Sequence, residues 1–458
     1  MFGLFSNKKK KEDQDNQNGG AGGNNTNSAG GGGSNSNIPS SPSGSKEFPS
    51  FEISPLNEIQ ILSSHTQPIK TLLNIDHERL ASAGDDNVIL VWSISTGRLL
   101  MRLEEHTQRV TCLLSFGNIL VSGSMDKKIK MWDLSKPAIY NQETKSFHLE
   151  SSKTLDKHQK SLKFLEKIPN GFCSASNDEN LIIWDEQGEF KRYIVRIQRE
   201  YITSILCVNN FIIVSGSTAP FLIAYKYDSQ NETPKTLGKE ITHKDCVNCL
   251  MNLSARNFIT GSKDNSIIIW DSYTLQPLHQ RYCKSSISYL YPIKNFILVT
   301  IFKGFSIFDM NGNSILEYYP SDGSLTTELN GAITLYDNTK IVTWADTRIS
   351  MWSWPYELLG GKKTKYPLRP TLIGDLKGHT DYINSLTILD DNSIATGSSD
   401  CNIVLWKDGR IQSMNRNSIS NRMYNEMNSR YNPLYDFDSI YYEDDRIEYE
   451  ETMSSFEC

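Results

Sequence analysis

The chain has 458 residues, 38% of them apolar and 22% charged, with a formal net charge of −6 and a mean hydropathy of −0.44. That is enough chain for one large domain with tails, and no stretch approaches the roughly 18 apolar residues that a membrane-spanning helix needs. The negative charge belongs to residues 411–458, with four Arg against ten Asp or Glu; the middle of the chain is close to neutral, so nucleic acid is not expected as a partner.

At the start, the apolar patch Met1–Ser6 precedes the lysines Lys8–Lys11, the wrong order for a secretory signal. Those lysines run into Glu12 and Asp13 and read as a solvated tail. Residues 12–46 are mostly Asn, Gly and Ser, with almost nothing to bury, so residues 1–50 are expected to be a disordered tail. Residues 413–458 form the matching acidic, Tyr-rich tail, and residues 51–412 lie between as the folded part. The eight cysteines are scattered through strand-like segments, which fits reduced thiols and a cytoplasmic location, with the nucleus as the alternative. Cys246 and Cys249 make a lone CxxC without a second pair, so neither metal nor redox use is expected, and no cofactor is implied.

Within the folded part the first strand-like segment is Glu58–Leu62, and then a pattern begins. A His is followed by Ser or Thr, then Asp, then Trp in five sets: His65/Ser82/Asp86/Trp92, His106/Ser122/Asp126/Trp132, His158/Ser174/Asp178/Trp184, His243/Thr260/Asp264/Trp270 and His379/Thr396/Asp400/Trp406. Asp always stands six positions before Trp and four after Ser or Thr. Segments such as Leu120–Trp132 and Phe258–Trp270 are an apolar run, a Gly/Ser/Asp turn and a second apolar run, the signature of a hairpin. A strand-like stretch after each His (Val110–Leu114, Val247–Met251) and a short fourth one (Arg98–Leu103) complete a four-strand unit of about 45 residues. Such a unit cannot bury both faces alone and must stack on its neighbours. Three weaker units end at Tyr225, Phe308 and Trp352; Ser215 lies ten residues before Tyr225, while Val342 stands where Ser or Thr is expected before Trp352. Eight anchors at this period predict an all-β radial propeller with eight blades favoured and seven as the alternative. Glu58–Leu62 is expected to close the ring by completing the last blade, with Ile411–Met414 as the competing segment.

These residues resemble the WD-repeat β-propellers over about residues 55–412, with the Trp-Asp pair at Trp132-Asp133, Trp184-Asp185 and Trp270-Asp271 and one Gly-His pair at Gly378-His379. The resemblance implies that each set of four forms a buried hydrogen-bond chain from Trp through Ser/Thr and His to Asp. That accounts for Ser, His and Asp recurring together, a pattern that would otherwise suggest nucleophilic catalysis. It further implies that partners dock on the face formed by the starts of the inner strands and the turns before the third strands. Carried onto this chain, that face comprises Lys70, Asp85, Arg109, Met125, Lys163, Asn177, Tyr201, Asn248, Lys263, Tyr382 and Asn384. Tyr and Arg are frequent energetic anchors at protein interfaces. The expected function is therefore a non-enzymatic scaffold or adaptor that works within a complex and presents this face to protein or peptide partners. The alternative is a substrate-recognition subunit, for instance of a ubiquitin ligase, reading acidic or phosphorylated segments through the Lys and Arg positions.

Overall fold

A computed structural model describes residues 56–195, 201–216, 220–229, 233–237, 241–319, 328–336, 338–354 and 369–410. The tail segments 1–50 and 413–458 and the alternative closing segment Ile411–Met414 lie outside the described residues. The propeller unit ends at Asp408. Among the described residues it consists of eight sheets, seven of four strands and one of six. The innermost strands run in order as Ile69–Asn74, Val110–Phe116, Leu162–Ile168, Ile202–Val208, Val247–Asn252, Ile287–Ile293, Gly331–Leu335 and Ile383–Ile388. Eight blades, rather than seven, is the outcome.

Strand formation follows from burial on both faces. The second and third strands of each blade read as nearly continuous apolar runs, for example Ile89–Ser93 and Asn257–Ser262, because each is sandwiched between neighbouring blades. The core is therefore a set of inter-blade layers. One joins Ala81, Ile89, Val91 and Leu103 of blade 1 to Val110, Leu113, Leu120 and Trp132 of blade 2. Gly261 shows how tight the fit is: a Cβ there would stand 2.6 Å from Ile287 of the next blade.

Each hairpin turn has its own local chemistry. The residue after the turn Asp takes a left-handed φ in all five full repeats, namely Asn87, Lys127, Glu179, Asn265 and Cys401, with φ between 66° and 73°. A Lys, Glu or Cys rarely adopts that conformation. The turn Asp offsets the strain by accepting the N–H of the residue two positions on, at 2.9 Å for both Lys128 on Asp126 and Asn402 on Asp400.

The ring is closed from its beginning. Leu56–Ser63 lies antiparallel to Asn402–Asp408, with Ile61 opposite Val404. Lys407 reinforces this seam, donating from its buried ammonium to Gln60 Oε1 (2.9 Å) and to the carbonyl of Ile94 in blade 1 (2.8 Å).

Blade 2 departs from the simple repeat. Between its third strand (Ile129–Asp133) and outer strand (Lys153–Leu155) lies an inserted hairpin, Ile139–Asn141 and Ser146–His148. The insert reaches back to blade 1, where Ser146–His148 pairs in parallel with the outer strand Leu99–Leu103 through His148 opposite Arg102. Leu149 is buried in the layer between these blades, which ties the insert down.

Candidate protein-interaction face

The five sets of four meet as buried chains. In blade 1 the indole N–H of Trp92 donates to Ser82 Oγ (2.8 Å), the hydroxyl lies 2.7 Å from His65 Nε2, and His65 Nδ1 lies 2.7 Å from Asp86 Oδ2. Blades 2, 3 and 8 repeat this within about 0.2 Å through His106, His158 and His379. The assignment that satisfies every atom has Nδ1–H donating to the carboxylate and Nε2 accepting from the hydroxyl. Blade 5 differs: His243 Nδ1 lies 2.8 Å from the Ser266 hydroxyl, which itself donates to Asp264 Oδ1 (2.6 Å). Burial pushes the turn carboxylates Asp86, Asp126 and Asp178 up, but hydrogen bonds from the His ring and from backbone amides outweigh it and hold them below the usual range.

The members of these sets are shut away from any partner. In blade 8 the chain starts at Trp406, whose N–H donates to Thr396 Oγ1 (2.9 Å). Trp406 is fully buried, and a Cβ at Gly378 would stand 2.7 Å from its ring, so the Gly of the single Gly-His pair makes room for the indole. Trp132 is enclosed to the same degree, and Trp92, Trp184 and Trp270 nearly so. The hydroxyls of Ser82, Ser122, Ser174, Thr260 and Thr396 are fully buried too, so no reacting carbonyl can reach them. Neither Trp406 nor the other members of the sets contribute contact surface; they brace the face from beneath.

Two of the weaker units correct the sequence reading. In blade 7, Trp352 donates to Thr343 Oγ1 (2.9 Å), so the hydroxyl position is Thr343 and not Val342. The blade 7 hairpin turns through two residues, with Ala345 opposite Arg348, one residue shorter than the repeats with full sets. In blade 4 the hairpin is one residue longer, with Tyr225 opposite Ile212, and Ser215 falls on the opposite side of its strand. Ser215 bonds instead with Thr203 Oγ1 (2.8 Å).

A second ring of contacts, not anticipated from the sequence, surrounds the central axis. Seven inner strands carry a β-bulge near their start, and the extra residue is Lys70, Thr111, Lys163, Thr203, Asn248, Ser288 or Asn384. A bulge re-aims its side chain. Five of these donate to a backbone carbonyl of the next blade: Thr111 to Leu162 (3.0 Å), Thr203 to Val247 (2.6 Å), Asn248 to Ile287 (2.9 Å), Ser288 to Leu329 (2.9 Å) and Asn384 to Ile69 (2.8 Å). Asn248 and Asn384, expected as partner contacts, thus use their amides to join blades. Lys70 and Lys163 hold the equivalent places in blades 1 and 3.

The remaining expected face residues divide clearly. Asn177 is held by Ser161 (2.7 Å), and Met125 is half-buried with its N–H on the Arg109 carbonyl (3.0 Å). Lys263 is exposed, as are Tyr201 (69%) and Tyr382 (47%). Lys70 and Arg109 approach Asp85 from two blades, at 3.7 and 3.6 Å. Burial lowers the Lys163 ammonium from its ordinary value. Sequence reasoning missed Phe302, 46% exposed in the short turn of blade 6 with Lys303 over its ring at 5.3 Å. No repeat residue marks that turn.

The junction between blades 3 and 4 also holds Glu166, which accepts the N–H of Cys207 (3.1 Å). Burial raises its carboxyl above the ordinary range. A raised folded-state value means this group favours the fold below the unfolded pKa and loses that contribution as pH rises through the folded value. Glu166→Gln is therefore expected to raise stability at pH 7 and to leave it unchanged near pH 4. Urea melts at the two pH values check this.

A family model described as WDR41 matches residues 50–289, just over half of the chain. The chain belongs to the WDR41 β-propeller family. A WD domain, G-beta repeat model matches residues 370–407 as well. WD repeat-containing protein 41 of Mus musculus is 20% identical over 425 residues, covering 78% of this chain and 88% of that protein. The protein of the same name from Homo sapiens is 20% identical, covering 78% and 89%. Mitochondrial division protein 1 of Aspergillus clavatus is 38% identical over 85 residues, 18% of this chain and 13% of that protein. Among solved structures, the computationally designed Ika8 protein superposes with a TM-score of 0.59 at 21% identity, covering 76% of this chain and 98% of that one, a likeness of fold.

Proposed function

We propose that this WDR41-family propeller is a non-enzymatic scaffold that presents the face around the inner-strand starts to a protein or peptide partner. The observation that carries this reading is the exposure of Tyr201, Tyr382 and Phe302 at inner-strand starts or turns of three blades, with exposed or half-exposed cations at Lys70, Arg109 and Lys263 in the corresponding parts of three others. Rigid rings exposed on a braced surface are the residues that supply most binding energy when a partner covers them. Each underlying set braces its own blade and the bulge ring joins neighbouring blades, so little ordering cost falls on the scaffold when it binds.

Comparative affinity purification tests the reading. Proteins recovered with the wild-type chain should be lost with Tyr201→Ala/Tyr382→Ala, while the melting temperature stays within about 2 °C. Equal recovery by both proteins would overturn the assignment of this face. The narrower reading, a substrate-recognition subunit for acidic or phosphorylated segments, rests on the same cations.

A further inference from the structure

Some ion pairs in this propeller are tight and fully hydrogen-bonded. Glu105 accepts Lys130 Nζ (2.6 Å), the Ser151 N–H (2.6 Å) and the Ser151 hydroxyl (2.6 Å), and Asp76 accepts both Arg79 Nε (2.8 Å) and Nη2 (2.6 Å). Asp85 is different. Its carboxylate sits between the Lys70 ammonium (3.7 Å) and the Arg109 guanidinium (3.6 Å), both beyond hydrogen-bond distance. Its Oδ1 is enclosed yet accepts no hydrogen bond. A buried carboxylate oxygen without a donor calls for an explanation beyond stability.

The placement supplies one. Lys70 occupies a bulge that five other blades fill with Thr, Ser or Asn to bond the next blade. Here the bulge turns a long cation toward Asp85, and Arg109 approaches the same carboxylate from blade 2. The three side chains keep between about a quarter and two-fifths of their surface exposed. We propose that Lys70 and Arg109 form an anion-binding subsite for an acidic side chain, carboxylate or phosphate, of an extended partner peptide, and that Asp85 is its resident occupant. This rests on the reading of the face as a partner surface. An incoming anion that reaches true hydrogen-bond distance on the planar Arg109 fork makes stronger contacts than Asp85 does. Asp85 must rotate away to admit it, so Asp85 sets a threshold that a weakly charged segment does not pass.

Fluorescence anisotropy of the full-length protein with three labelled nonapeptides, carrying a central phosphoserine, Glu or Gln, tests the subsite. Asp85→Asn, which removes one like charge near the ligand, should tighten binding of the phosphoserine and Glu peptides about tenfold at low salt and leave the Gln peptide unchanged. Phosphoserine gaining more than Glu would identify phosphate as the ligand; equal gains would identify any acidic side chain. Adding Lys70→Met and Arg109→Gln to Asp85→Asn should abolish the gain. Should Asp85→Asn lower the melting temperature, Asp85→Ser gives the same comparison. The subsite is overturned if neither Asp85 variant tightens the acidic peptides, or if the gain survives loss of both cations. Were Tyr201→Ala/Tyr382→Ala to lose partners while the Asp85 variants bind as wild type does, the subsite alone would fail. A gain at Asp85 with no loss from the Tyr variants would keep the subsite and remove the wider face.

Discussion

Trp270→Ala is expected to lower the unfolding free energy by about 3–5 kcal/mol, the largest loss from any single side chain in blade 5. Trp270 is fully buried, stacks on Phe258 with centroids 5.9 Å apart, and packs in the layer that joins Val208, Ile213 and Leu237 of blade 4 to Leu250 and Ile268. Its removal leaves a cavity and also takes the N–H (3.0 Å) from Thr260 Oγ1, so the chain through His243 loses its first donor. Phe308→Ala in blade 6 removes a ring equally well buried but joined to no such chain, so it should cost less by roughly 1 kcal/mol. Urea melts of both variants give the comparison. Equal losses would mean that the hydrogen-bond chain adds nothing net and that blade 6 is as firm as blade 5.

Deleting residues 1–63 should have a larger effect, because it removes the strand that closes the ring. Seven residue pairs join Leu56–Ser63 to Asn402–Asp408, and Leu56 and Leu62 are buried. At about 1 kcal/mol net per backbone hydrogen bond plus the apolar burial, the loss is on the order of 5 kcal/mol. That is a large part of the roughly 5–15 kcal/mol that usually holds a domain together. The truncated chain should melt at least about 10 °C lower and be cut by protease within blade 8. Adding a synthetic peptide spanning residues 54–65 in trans should restore part of the melting temperature. A truncated protein that melts like the full chain would show that the seam is not needed.

The repeat was legible because a satisfied buried chain demands fixed spacing: His, hydroxyl, Asp and Trp must meet from four different strands or turns. The number of blades followed, and so did the closing strand. What escaped the sequence is what spacing does not encode. A one-residue change in hairpin length moved the hydroxyl to Thr343 and turned Ser215 to the other side, since each step along a strand flips the side chain. The inserted hairpin was visible only as a 52-residue step from Trp132 to Trp184, and its pairing with blade 1 rests on one parallel contact at His148. The bulges are backbone events, and Thr, Ser, Asn and Lys all occupy them. The spacing therefore did not show that Asn248 and Asn384 join blades or that Phe302, unmarked by any repeat residue, is open.

The seam between the first strand and the last blade sets a timetable for making this protein. Ser63 donates to Asn402, 339 residues further on, so the first strand leaves the ribosome long before its partner exists. At about 5–20 residues per second the wait is roughly 17–70 s. During that time Leu56, Ile59, Ile61 and Leu62 belong to an unpaired apolar strand, and seven blades assemble with an open edge at each end. Nascent chains should therefore depend on a chaperone that holds extended apolar segments, and depletion of such a chaperone should lower the yield of this protein more than that of a propeller whose last blade closes within one hairpin.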